Sequence, residues 1–190
     1  MEKKINIELI LEGCLQGNRG SQERLYKYFH PYSMSICLRY SKNRQEAREI
    51  LNEGFLKVFN KLQRYDKNQD FHPWIRKILI NTAIDYYRTK QRRSFFLPLE
   101  NATDIVDDQN WDNFTLEENC NVLPILQELS PAYRIVFNLY VMEGYKHREI
   151  AKELDISVNT SKTNLARAKN RLRQLLESKP QLKMKLNEKR

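Results

Sequence analysis

Apolar residues recur at helical intervals along most of the chain, and the clearest case lies towards its C-terminal end. Val158, Ser161, Leu165, Ala168, Leu172 and Leu175 repeat at steps of three and four, which is one stripe of a helix. Ile150, Ala151 and Leu154 give a shorter helix before it an apolar face. Between them Asp155 sits where the chain must turn, and Asp tolerates left-handed backbone better than most residues. Ser157 is placed to cap the second helix. The pair reads as a helix-turn-helix. Ser161 is the exception, a polar residue on a stripe where an aliphatic one is more usual.

The same periodicity predicts helices over residues 5–16, 21–40, 44–62 and 73–92, then over 122–129 and 130–142. Pro73 suits a first helical position, with Trp74, Ile78, Thr82 or Ala83, Ile84 and Tyr87 on the apolar side behind it. Ser130 and Pro131 read as an N-cap and first-turn proline, and Gly144 as the end of that helix. Five glycines, six prolines and few alternating runs predict an all-α protein.

Charge divides the chain into three. Residues 1–93 hold 19 Lys and Arg against 10 Asp and Glu, and residues 122–190 hold 14 against 7. Residues 94–121 hold no Lys or Arg and 7 Asp and Glu. We therefore expect two small helical domains, 1–93 and 122–178, joined by an acidic linker, 94–121, and followed by a basic tail, 179–190. The second of these is the helix-turn-helix domain. A net charge of +9 and a pI near 9.4 point to a polyanionic partner.

Other classes recede on simple counts. No apolar run approaches the roughly 20 residues of a spanning helix. The N-terminus has no signal-peptide core, so a cytoplasmic protein is expected. Cys14, Cys37 and Cys120 form no CxxC pair, and His30, His72 and His147 stand apart from them, so neither a disulfide framework nor a metal site is expected. There is no phosphate loop, HExxH or nucleophile elbow, which argues against an enzyme and against a cofactor.

Nucleic-acid chemistry fits two places. Lys162, Thr163, Asn164, Arg167, Lys169, Arg171 and Arg173 lie off the last helix's stripe, a cationic, hydrogen-bonding face suited to a major groove. Phe71, Trp74, Asn81, Tyr86, Tyr87 and Arg88 mix aromatic, amide and cationic groups. Such groups could hold opened single-stranded DNA by stacking and phosphate neutralisation.

Three motifs, in this order, resemble the two-domain extracytoplasmic-function (ECF) group of bacterial RNA polymerase sigma factors. They are EAREILNEGFLKVFNKL from Glu46, FHPWIRKILINTAIDYYR from Phe71, and the helix-turn-helix. The resemblance covers about residues 20–92 and 122–176. It implies that the chain directs core RNA polymerase to promoter DNA and helps open it, without covalent chemistry of its own. It implies that Glu49, Asn52, Glu53 and Phe55 meet the polymerase clamp, with Asn52 standing where the family has Gln. It implies that Phe71, Trp74, Asn81 and Arg88 meet the downstream promoter element, Asn81, Asp85 and Arg88 matching an Asn…Asp…Arg pattern. The resemblance further implies that the loop over residues 64–72 captures a flipped base. Lys162, Thr163, Asn164 and Arg167 meet the upstream element, in a stretch where Ser161-Lys162-Thr163-Asn164 replaces the usual Val-Lys-Ser-Arg. The linker would thread the polymerase channel as a nucleic-acid mimic, anchored by Phe95, Phe96 and Trp111. An anti-sigma regulator is a further implied partner. The competing readings are a stand-alone helix-turn-helix regulator and, more remotely, an enzyme acting on nucleic acid.

Overall fold

In the computed structural model the described residues are 6–93 and 123–178. The expected linker with Phe95, Phe96 and Trp111, the basic tail and Cys120 lie outside them. Eight helices are described: α1 (Ile7–Leu15), α2 (Arg19–Tyr40), α3 (Arg44–Lys61), α4 (Phe71–Arg93), α5 (Leu123–Glu128), α6 (Pro131–Phe137), α7 (His147–Leu154) and α8 (Val158–Ser178). A 3-10 turn, Leu62–Arg64, follows α3, and a π turn, Asn138–Met142, extends α6. No strand occurs among the described residues. The fold is all-α, as the periodicity predicts.

The chain divides into two compact units, one taking in the residues to Leu38 and Asn43–Tyr86, the other Arg39–Lys42 and the residues from Tyr87 on. In the first, short polar side chains set where helices begin. The Asn6 side chain accepts the Leu9 N–H at 3.3 Å at the head of α1, and Asn43 accepts the Glu46 N–H at 2.9 Å at the head of α3. Asp70 accepts the His72 N–H at 2.9 Å, so α4 starts at Phe71 and Pro73 is its third residue, not its first. The proline is still tolerated, because the first four helical N–H groups have no partner within the helix. Leu25 and Phe29 of α2, Ile50, Leu51, Phe55 and Val58 of α3, and Phe71, Ile75, Leu79 and Ile84 of α4 are all buried. Gly54 lets α3 approach α4 closely: a Cβ there would sit 2.6 Å from Leu79 Cδ2.

In the second unit Ser130 caps α6 by accepting the Tyr133 N–H at 3.4 Å, with Pro131 at the first position. Arg134 is almost wholly buried, at 2% exposure, rather than spread on the surface as its charge would suggest. Its guanidinium instead donates to the carbonyls of Leu126 at 2.9 Å, Gln127 at 3.1 Å and Leu129 at 2.6 Å. These carbonyls lie at and just past the C-terminal end of α5, so one cation closes that helix and ties it to α6. Gly144 adopts the left-handed conformation (φ 72°), and the Tyr145 N–H returns to the Leu139 carbonyl at 2.9 Å. The chain then enters α7. α5, α6 and α7 all pack on α8, whose Leu165, Ala168, Leu172 and Leu175 are buried.

Candidate nucleic-acid and protein interfaces

The α7–turn–α8 segment is closed by backbone geometry that the residues impose. Asp155 is left-handed (φ 56°, ψ 49°) and is the only non-glycine among the described residues with positive φ. Ser157 caps α8, accepting the Thr160 N–H at 2.9 Å. Glu149 accepts the Lys146 N–H at 2.7 Å and fixes the head of α7. α8 then presents Lys162 as exposed, with Thr163, Asn164 and Arg167 partly exposed. The structure thus leaves all four residues of the expected upstream-element set accessible on one helix.

Ser161 explains itself here. It is fully buried, and its hydroxyl lies 2.9 Å from Nδ1 of His147. The polar residue on the apolar stripe is one half of a polar pair, and the histidine is the other half rather than a plain surface residue. The His147 ring also stacks on Tyr140, with centroids 4.6 Å apart and planes 25° from parallel. Burial, followed by the charges of Lys162 and Lys169, holds the imidazole below its ordinary value and favours the neutral ring.

In the first unit α3 carries one accessible face. Glu49, Asn52 and Glu53 are exposed, and Leu56, at 59% exposure, lies one turn on from them. Phe55 does not share that face. It is 2% exposed, with its ring 4.7 Å from Tyr26 and 6.1 Å from Phe59. The expected surface contact of Phe55 is therefore corrected: it is a core residue that seats α3, and the exposed apolar side chain is Leu56. The sequence holds that signal, since Ala47, Ile50, Leu51, Phe55 and Val58 make one stripe that leaves Leu56 outside.

α4 receives a similar correction. Phe71 is 3% exposed and packs on Phe29 (4.9 Å), Tyr65 (5.2 Å) and Trp74 (5.3 Å), so it has no free face on which a base could stack. Trp74 is partly exposed at the edge of this cluster, 5.1 Å from Tyr65. Asn81 and Asp85 are exposed and Arg88 partly so, and their spacing of four and three places them on one side of α4. Tyr86 is turned towards α3, where its hydroxyl donates to Glu49 Oε2 at 2.9 Å. Burial, that hydrogen bond and the nearby Glu46 and Glu49 push the phenol up to about 12, so it remains a donor. Lys57 of α3 lies 2.9 Å from Asp85 Oδ2 and 3.9 Å from Glu53 Oε1.

The loop before α4 is held by its own side chains. Asp66 accepts the Asn68 N–H at 3.0 Å, the Asn68 amide at 3.1 Å and the Gln69 amide at 3.4 Å, and the Tyr65 hydroxyl donates to the Gln69 carbonyl. Lys67 reaches Glu12 of α1 at 3.4 Å. Asp66 to Asp70 are all exposed, so a structured loop stands at the end of the aromatic cluster. Among the described residues no helix is long and apolar enough to cross a membrane, and no three His, Cys, Asp or Glu gather as a metal site would need.

Comparison with known proteins matches two stretches of the chain. Residues 25–93 match the model of Sigma-70 region 2, and residues 122–172 that of Sigma-70, region 4. The chain is 26% identical over 155 residues to the RNA polymerase sigma factor SigZ of Bacillus subtilis, covering 82% of this chain and 86% of that one. It is 22% identical over 183 residues to the ECF RNA polymerase sigma-E factor of Escherichia coli, covering 89% and 93%. Among solved structures it is similar to the sigma factor RpoE of Bartonella quintana, crystallised with the anti-sigma factor NepR. That similarity has a TM-score of 0.47 and 18% identity, over 82% of this chain and 96% of that one.

Proposed function

The chain belongs to the sigma-70 family, in its ECF group, and from that premise we propose how its surfaces divide the work of promoter recognition. As a sigma factor it gives RNA polymerase its promoter specificity, with core polymerase and promoter DNA as partners; the family matches favour this over a stand-alone regulator. The observation that carries the function is the order of two family regions in one chain, region 2 over 25–93 and region 4 over 122–172.

The exposed face of α3, Glu49, Asn52, Glu53 and Leu56, meets the polymerase. Acidic groups around one solvent-exposed leucine suit a partner surface with a cationic rim and an apolar centre. The side of α4 that carries Asn81 and Arg88, with Trp74 and the Asp66–Asp70 loop at its head, meets the downstream element. Opening DNA costs on the order of 1.4 kcal/mol per base step, so a few stacking and phosphate contacts offset only a short bubble. α8 enters the major groove of the upstream element with Lys162, Thr163, Asn164 and Arg167. The chain itself makes and breaks no covalent bond, works in the cytoplasm beside the polymerase, and would be silenced by an anti-sigma regulator covering the α3 and α8 faces.

The test is run-off transcription with bacterial core polymerase, with and without the purified chain, on DNA upstream of genes that respond to its overproduction. The expected result is new, discrete start sites only when both are present, and weak or no promoter binding by the free chain in a mobility-shift assay. Tight binding to a palindromic duplex without polymerase would instead favour the stand-alone regulator.

A further inference from the structure

The exposed side of α4 is cationic and amide-bearing except at one position. Lys77, Asn81, Arg88 and Arg92 follow one another at steps of three and four once Asp85 is included, and Asp85 is the acid in the middle of that row. A carboxylate there faces whatever Asn81 and Arg88 face. If that is DNA, an uncompensated negative charge opposes the phosphates at the centre of the contact. The structure supplies the compensation from the neighbouring helix: the Lys57 ammonium donates to Asp85 Oδ2 at 2.9 Å, and Lys57 is largely covered, at 27% side-chain exposure, while Asp85 is at 58%. Glu53 lies farther from the same ammonium, at 3.9 Å, so Asp85 is its nearer partner.

We propose that Lys57 is a positioning residue for promoter opening: it neutralises and turns aside Asp85, so that the α4 row meets DNA as a cationic surface. This rests on the reading of α4 as the downstream-element helix. Stability is a poor account of the pair, because exposed ion pairs contribute little to folding. The alternative, that Lys57 itself touches phosphate, conflicts with its place on α3, its ammonium turned to Asp85 rather than standing on the open row. The pair also bridges the α3 and α4 sides, since Glu53 belongs to the proposed polymerase face. Any polymerase cation that draws Glu53 away leaves Lys57 wholly to Asp85.

The test is a double-mutant cycle in reconstituted holoenzyme, read as the rate of promoter opening on a fragment that the native holoenzyme transcribes. Lys57→Ala should slow opening by about two- to fivefold, the range of an exposed pair. Copurification with core polymerase and the melting temperature should stay unchanged. Once Asp85→Asn has been made, the same removal of Lys57 should have no effect on opening. Lys57→Arg should retain the native rate. An equal loss from Lys57→Ala in both backgrounds would overturn the proposal, because Lys57 would then act on DNA or polymerase directly. The underlying reading is tested separately by changing Asn81 and Arg88 together to Ala. If opening is then undisturbed, α4 does not face DNA, whatever the cycle shows.

Discussion

Phe55 and Leu56 are adjacent, both apolar, and opposite in role. Phe55 sits among Tyr26 and Phe59 in the first unit, and Leu56 stands in solvent beside Asn52 and Glu53. Phe55→Ala should cost about 3–5 kcal/mol of stability, measured by denaturant unfolding. Leu56→Asp should change stability by less than about 0.5 kcal/mol and still reduce copurification with core polymerase. The family pattern drew attention to Phe55, while the helical stripe around it already argued for burial. His147 yields a second prediction at this scale. Its imidazole is held below the ordinary value of 6.5 by burial and by Lys162 and Lys169, so the unfolded chain takes up a proton at a higher pH than the folded one. Its contribution to stability is therefore intact above the ordinary range. It is lost as pH falls below that range, until the folded ring protonates too. His147→Gln should flatten this part of the acid limb in a pH series of unfolding curves.

At the scale of elements, most helices were legible because capping chemistry and periodicity agreed. Ser130–Pro131, Gly144, Asp155 and Ser157 each do in the structure what their residue types predict. Asp155 can be tested directly. Asp155→Val places a branched side chain at φ 56° and should lower the melting temperature, at a cost of about 1–2 kcal/mol, whereas Asp155→Gly should be neutral or stabilising. The π turn over Asn138–Met142 was not legible. It is closed by the Glu143 N–H reaching back five residues to the Asn138 carbonyl at 3.1 Å, a bond that no residue type marks in advance. Arg134 was hidden for a different reason. In sequence a lone arginine reads as surface charge, and only the fold shows three carbonyls converging on it. The start of α4 shifted because Asp70 caps more effectively than Pro73 initiates.

At the scale of the whole molecule, two helical units in one chain were legible from periodicity and from the order of the motifs. What spacing alone could not assign was which residues of each motif face outward. Arg167→Ala should weaken transcription from promoters that depend on the upstream element by about 1–3 kcal/mol, roughly 5- to 150-fold, while copurification with core polymerase stays normal. Run-off assays on matched templates with and without that element would show it. The Ser161–His147 pair carries a consequence for exchanging promoter preference between relatives. A borrowed recognition helix that brings valine to this site would leave the half-buried imidazole without its hydroxyl partner, and a rotated one would separate the two. The hydrogen bond thus works as an index pin for α8. Grafts that transfer α8 alone should misalign or melt, and those that also replace His147 should take on the donor's specificity.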